Sequence, residues 1–185
     1  MILLFSAALG LAVGLLSGGS LKRIRLYPLR GLLLPILALL MKSGASILFQ
    51  PQKGALIVCM AQYALIFVFL LLNVRRPVWP AFVFLGSLGN FLVILLNGGC
   101  MPVSASLVGA QTQRLEQLAQ NRIYAYCLAS EQTKLPYLGD IFRLGSVGMP
   151  FGFASAGDLI LCVGVLILFI QLVHYAPDRR TSESE

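Results

Sequence analysis

Long apolar runs, each near the length that crosses a bilayer as a helix, leave this chain little choice of fold. They cover residues 1–19, 29–49, 54–73, 78–97 and 158–175, and about 20 apolar residues suffice to span hydrocarbon. There, every backbone N–H and C=O must be paired within its own segment. The expected fold class is therefore all-α, a polytopic membrane helical bundle of about five transmembrane helices. Only 11% of the 185 residues are charged and 58% are hydrophobic, roughly half the charge of a soluble domain. A single integral membrane domain over residues 1–185 is expected, with an outer loop at 98–157 and a polar tail at 177–185.

The net charge of +7 is gathered between the runs. Lys22, Arg23, Arg25 and Arg30 follow the first, Arg75 and Arg76 the third, and Arg179 and Arg180 the last. Basic residues in short loops mark the cytoplasmic side. The expected orientation is thus N-terminus outside and C-terminus cytoplasmic, in the inner membrane of a bacterium. Such clusters predict membrane lipid as a partner and no nucleic acid, because they form no phosphate-binding stripe. The first run has no basic residue before it and reads as a retained span rather than a cleaved signal peptide. No internal repeat is visible, which argues against an inverted-repeat transporter.

Within the spans, Pro35 predicts a kink in the second, and Gly86, Gly89 and Asn90 give the fourth a small-residue face. The loop after it predicts a helix over 111–128 along the interface, and the glycines at 139, 145, 148, 152 and 157 predict irregular, re-entrant backbone. Trp79 reads as an interfacial anchor, and Tyr124, Tyr126 and Tyr137 as an outer aromatic belt. Asn97, Met101 and Pro102 either end the fourth helix or form a turn under the site. Cys59 and Cys162 read as small buried apolar residues. Cys100 and Cys127 share one loop, where they are either bridged or two free thiols. With no CxxC, no Cys/His ligand spacing and a single histidine, His174, neither metal nor cofactor is expected.

Chemistry concentrates where acid meets hydrocarbon. Asp140 and Asp158 are the acids placed beside a span; Glu116, Glu131, Asp178, Glu183 and Glu185 fall in the polar loop or the tail. A carboxylate there is costly to desolvate unless it is paired, capping or functional. The structural alternatives are an N-cap for Asp158 and an Asx-turn for Asp140. The functional alternative needs both. Two carboxyls sharing a proton titrate apart, one activating water while the other polarises a carbonyl. Lys42 either snorkels to the outer interface or pairs with Asp140 or Asp158.

Three segments carry a resemblance. They are Phe84-Leu85-Gly86-Ser87-Leu88-Gly89-Asn90, then Leu138-Gly139-Asp140-Ile141-Phe142, then Phe153-Ala154-Ser155-Ala156-Gly157-Asp158 leading into Leu159-Ile160-Leu161-Cys162-Val163-Gly164. In order and spacing they resemble the C-terminal half of the lipoprotein signal peptidases. More weakly, Ser43-Gly44-Ala45-Ser46 resembles an element of the same family. The resemblance implies Asp140 and Asp158 as a catalytic dyad, with Asn90 a supporting polar residue and Ser155 standing where the family has Asn. It departs at Val93-Ile94, where the family has Asp-Arg, and in the additional segment 98–136. Asn97-Gly98-Gly99-Cys100-Met101-Pro102-Val103, with Leu138-Gly139-Asp140, is also similar to an uncharacterised family of small bacterial membrane proteins. That similarity implies a fold but no activity.

Two functions follow as expectations. One is a membrane-embedded aspartic peptidase cutting a membrane-anchored peptide or lipopeptide near the outer leaflet. The other is a non-catalytic polytopic protein that binds lipid or assembles with a membrane partner.

Overall fold

The computed structural model describes residues 2–48, 54–108, 112–120, 122–146 and 149–176. The turn expected at 50–53, Arg179 and Arg180, and the tail fall outside them. Apolar runs become helices: α1 (Ile2–Leu16), a short α2 (Leu21–Ile24), α3 (Leu33–Leu48), α4 (Ala55–Leu72) and α5 (Trp79–Leu96). A cap follows, comprising β1 (Met101–Val103), α6 (Ala105–Val108), α7 (Thr112–Ala119), β2 (Tyr126–Leu128), β3 (Asp140–Ser146) and β4 (Met149–Ser155). The last helix is α8 (Ala156–His174). Helices α4, α5 and α8 are long and apolar enough to cross a membrane; α1 and α3 are apolar but shorter, at 15 and 16 residues.

The all-α expectation needs correction. The cap holds a mixed four-stranded sheet in the order β2-β1-β3-β4, with β1 parallel to both neighbours and β3 antiparallel to β4. The glycine-rich stretch is a hairpin rather than irregular backbone. Gly145 (φ 89) and Gly152 (φ 119) take left-handed conformations beside the ladder's register shift, as glycine does at bulges. The interfacial helix is also shorter than expected. α7 ends at Ala119, and Tyr126–Leu128 pairs with β1 instead. Leu118 then buries against Val103, with Ile123, Tyr126, Leu128 and Phe153 around them, giving the cap its own small core.

In the membrane part, neighbours run α3, α4, α5, α8, α1 in a row, with α8 packed between α5 and α1. Small residues set the approach. A Cβ on Gly10 would lie 2.5 Å from the Leu166 carbonyl oxygen, and one on Gly86 2.5 Å from that of Gly157. Apolar helices associate through such close packing because lipid offers no hydrophobic drive. The small-residue face expected on α5 holds at Gly86 and Asn90, whereas Gly89 faces open space.

The end opposite the cap carries the basic loops and is clamped by polar contacts. Buried Asn73 accepts the Arg30 N–H (3.1 Å) and donates to the Arg30 (2.8 Å) and Phe69 (2.8 Å) carbonyls. Trp79 is no interfacial anchor. It is fully buried, its indole N–H donating to the Tyr27 hydroxyl at 3.1 Å, and it packs with Phe69, Leu70 and Val83 in the bundle core.

Candidate functional site

The hairpin brings distant residues together. β3 opens on Asp140 and β4 closes on Ser155, and the two are ladder partners. Ser155 is also the N-cap of α8. Its hydroxyl oxygen accepts the Asp158 N–H (2.9 Å), and its own N–H donates to Asp158 Oδ2 (3.1 Å). This reciprocal box satisfies two orphan donors. The 18 residues from Asp140 to Asp158 thus fold back on Ser155, and both acids lie close to it.

Asn90, from α5, completes a ring of hydrogen bonds. Its amide donates to Asp158 Oδ1 (2.8 Å), and its oxygen accepts the Ser155 hydroxyl (2.7 Å). Gly157 makes room for this, since a Cβ there would collide with the Asn90 amide. Asp158 therefore receives one hydrogen bond on each oxygen at a helix N-terminus, where negative charge is favoured.

Asp140 is in the opposite situation. Only 4% of it is exposed. Burial raises its pKa from 3.8 to about 7, the Asp158 charge pushes the same way, and Lys42 partly opposes both. One carboxyl is thus set up to carry charge and the other to keep a proton near neutrality, the division that acid–base pairs use.

Both acids line a cavity of about 430 Å³ between the helices. Lys42 lines it too, its ammonium 5.8 Å from the Tyr126 ring centroid. The expected aromatic belt divides. Tyr137 is exposed, whereas Tyr124 and Tyr126 line this cavity. Tyr124, expected only as part of the belt, has a buried hydroxyl with no hydrogen-bond partner among the described residues. Gln62 and Tyr63, one helical turn beyond Cys59 on α4, also reach the cavity.

The structural alternatives resolve differently for the two acids. Asp158 is not the N-cap: Ser155 takes that position, and Asp158, three residues on, closes the box from the first turn; Asp140 begins a strand rather than an Asx-turn. Asn97 both ends α5, donating to the Val93 carbonyl (2.7 Å), and holds the loop under the cap through the Lys134 carbonyl (2.8 Å) and N–H (3.0 Å). Cys100 and Cys127 are joined, fastening β2 to β1. Among the described residues no three His, Cys, Asp or Glu side chains cluster as metal ligands would.

Comparison with known proteins gives one match. The model of a family of unknown function, DUF5317, matches residues 20–170. No curated protein and no solved structure matches the chain.

Proposed function

The chain belongs to DUF5317, a family of unknown function, so its activity has to be read from the site, and we propose a membrane-embedded aspartic peptidase. One observation carries this reading: Asp140 and Asp158 meet at a single cavity, with one carboxyl buried and the other supplied with donors. In the proposed mechanism, Asp158 takes a proton from a water held between the carboxyls. That water attacks an amide carbonyl whose oxygen is polarised by the Asp140 proton. Collapse of the tetrahedral intermediate returns a proton to the leaving amine. Asn90 and Ser155 are positioning residues, fixing the plane of the Asp158 carboxylate. The substrate class is a membrane-anchored peptide, a lipopeptide included, cut on the capped side. That side faces outward in the proposed bacterial inner-membrane orientation, N-terminus outside and C-terminus cytoplasmic.

Purified protein should cleave a membrane-anchored reporter peptide. Asp140→Asn and Asp158→Asn should each abolish cleavage while thermal unfolding still reports a folded chain. Undiminished cleavage in either variant, or none by the native chain across a reporter panel, would sink the proposal. The completed box at Asp158 favours a second reading, in which the acids are structural and the protein is a non-catalytic binder of lipid or a membrane partner. On that reading Asp158→Asn lowers stability by about 1 kcal/mol, a typical cap loss, and no cleavage is ever seen.

A further inference from the structure

The cavity continues well below the carboxyls. Asn90 lies eleven helical steps along α5 from Trp79, and both line it; that is about 16 Å along a helix axis. Bilayer hydrocarbon is ~30 Å thick, so this depth is close to the chain length of one leaflet. Beneath the acids the wall turns apolar, with Ala38, Ile66, Val83 and Leu168 facing in.

The row of helices does not close on itself. α3 packs on α4 and α1 on α8, while α1 and α3 share no packed face. Leu3 of α1 and Leu39 of α3 line the cavity yet are 40% and 64% exposed. The gap between these two helices is therefore a mouth on the apolar flank of the bundle.

The head of the cavity is polar and unfinished. Among the described residues the buried Tyr124 hydroxyl has no partner, and a buried hydroxyl is costly unless a ligand or water supplies the other half of the bond. Lys42 and the two acids line the cavity together, so the head has no surplus of positive charge to hold an anion, whereas a carbonyl oxygen accepts from a hydroxyl.

We infer that the cavity binds one acyl chain of a membrane amphiphile, admitted sideways between α1 and α3, with an ester or amide carbonyl at Tyr124 and the methyl end at Trp79. This binding does not depend on the carboxyls being catalytic.

Trp79 is the chain's single tryptophan and lies at the end of the cavity away from the acids, so its emission reports a group that reaches that end. The full chain in detergent is titrated with a long-chain methyl ester brominated at its terminal carbons, bromine being a contact quencher. Saturable loss of most of the emission is expected, and the same ester brominated beside its carbonyl should bind yet leave Trp79 bright. Tyr124→Phe should raise the half-saturating concentration about twofold to tenfold, the worth of one neutral hydrogen bond. Ala38→Phe, which fills the middle of the cavity, should abolish quenching. Quenching that does not saturate, is absent, or is equal for the two bromine positions overturns the inference, and that contrast in the native chain decides even if Ala38→Phe fails to fold. Tighter binding of the brominated free acid than of its ester overturns the assignment of the head. Quenching reads binding and reporter cleavage reads chemistry, so the two proposals fail separately.

Discussion

Asp140 ties pH to both stability and chemistry. Its pKa is 3.8 as an ordinary aspartate and about 7 in the fold, so the folded chain binds more protons than the unfolded one between those values. Stability from this group is therefore complete below about pH 3.8 and falls as pH rises through about 7. Melting temperature should decline across that window in the native chain and flatten there in Asp140→Asn. Peptidase activity should fall on the same rise, as the proton that polarises the substrate carbonyl is lost; a rate that climbs through neutrality would exclude Asp140 as the acid. Ser155 makes a separate prediction. Ser155→Ala strips the Asp158 N–H and the Asn90 oxygen of their partner, and should cost about 1–2 kcal/mol in thermal unfolding. The two acids were legible because they alone flank an apolar run, and Ser155-x-x-Asp158 is itself a capping-box signature. Tyr124 was not, because nothing local distinguishes a tyrosine in an aromatic belt from one facing a cavity.

Helices were legible for the same reason that α8 can pack so closely. Lipid and packed helix ask for the same apolar residues, and glycine marks where backbones touch. Gly10→Leu puts a side chain into the Leu166 backbone, which cannot yield as a flexible side-chain tip would. It should separate α1 from α8 and lower the melting temperature well beyond Gly89→Leu, whose position faces open space. Equal effects would mean that the α1–α8 seam is not tight. The strands escaped detection because three-residue β1 and β2 are too short for a period, and the glycines of β3 and β4 look like breaks in a helix when they are bulges in a hairpin. The cap compensates for this small core with a cross-link over 27 residues, Cys100–Cys127. Replacing both cysteines by serine should cost about 3.5 kcal/mol by loop-closure entropy. The loss should register as earlier unfolding of the cap, read by hydrogen exchange in β1 and β2, with the helices protected as before.

At the scale of the whole molecule, charge and redox chemistry make independent arguments for one orientation. Lys22, Arg23, Arg25, Arg30, Arg75 and Arg76 lie in the loops at one end of the bundle, and basic loops are retained on the cytoplasmic side. On the opposite side Lys53, Arg114, Arg122, Lys134 and Arg143 are spread along the sequence, most of them in one long segment, rather than clustered in short loops. That side also holds the disulfide, which persists in an oxidising space but not in a reducing cytosol. Both arguments support the proposed orientation, in which the sheet lies outside and the two carboxyls sit beneath it at the outer boundary of the hydrocarbon. With Cys59 and Cys162 changed to alanine, Glu131→Cys should react with a membrane-impermeant maleimide on intact cells, and Arg75→Cys only after lysis. The reverse pattern would invert the protein and turn the site toward the cytoplasm, where exported anchored peptides could not reach it. Labelling of both from one side would mean that α5, the helix between the two positions, does not cross the membrane, and the bundle that encloses the cavity would not be embedded as proposed.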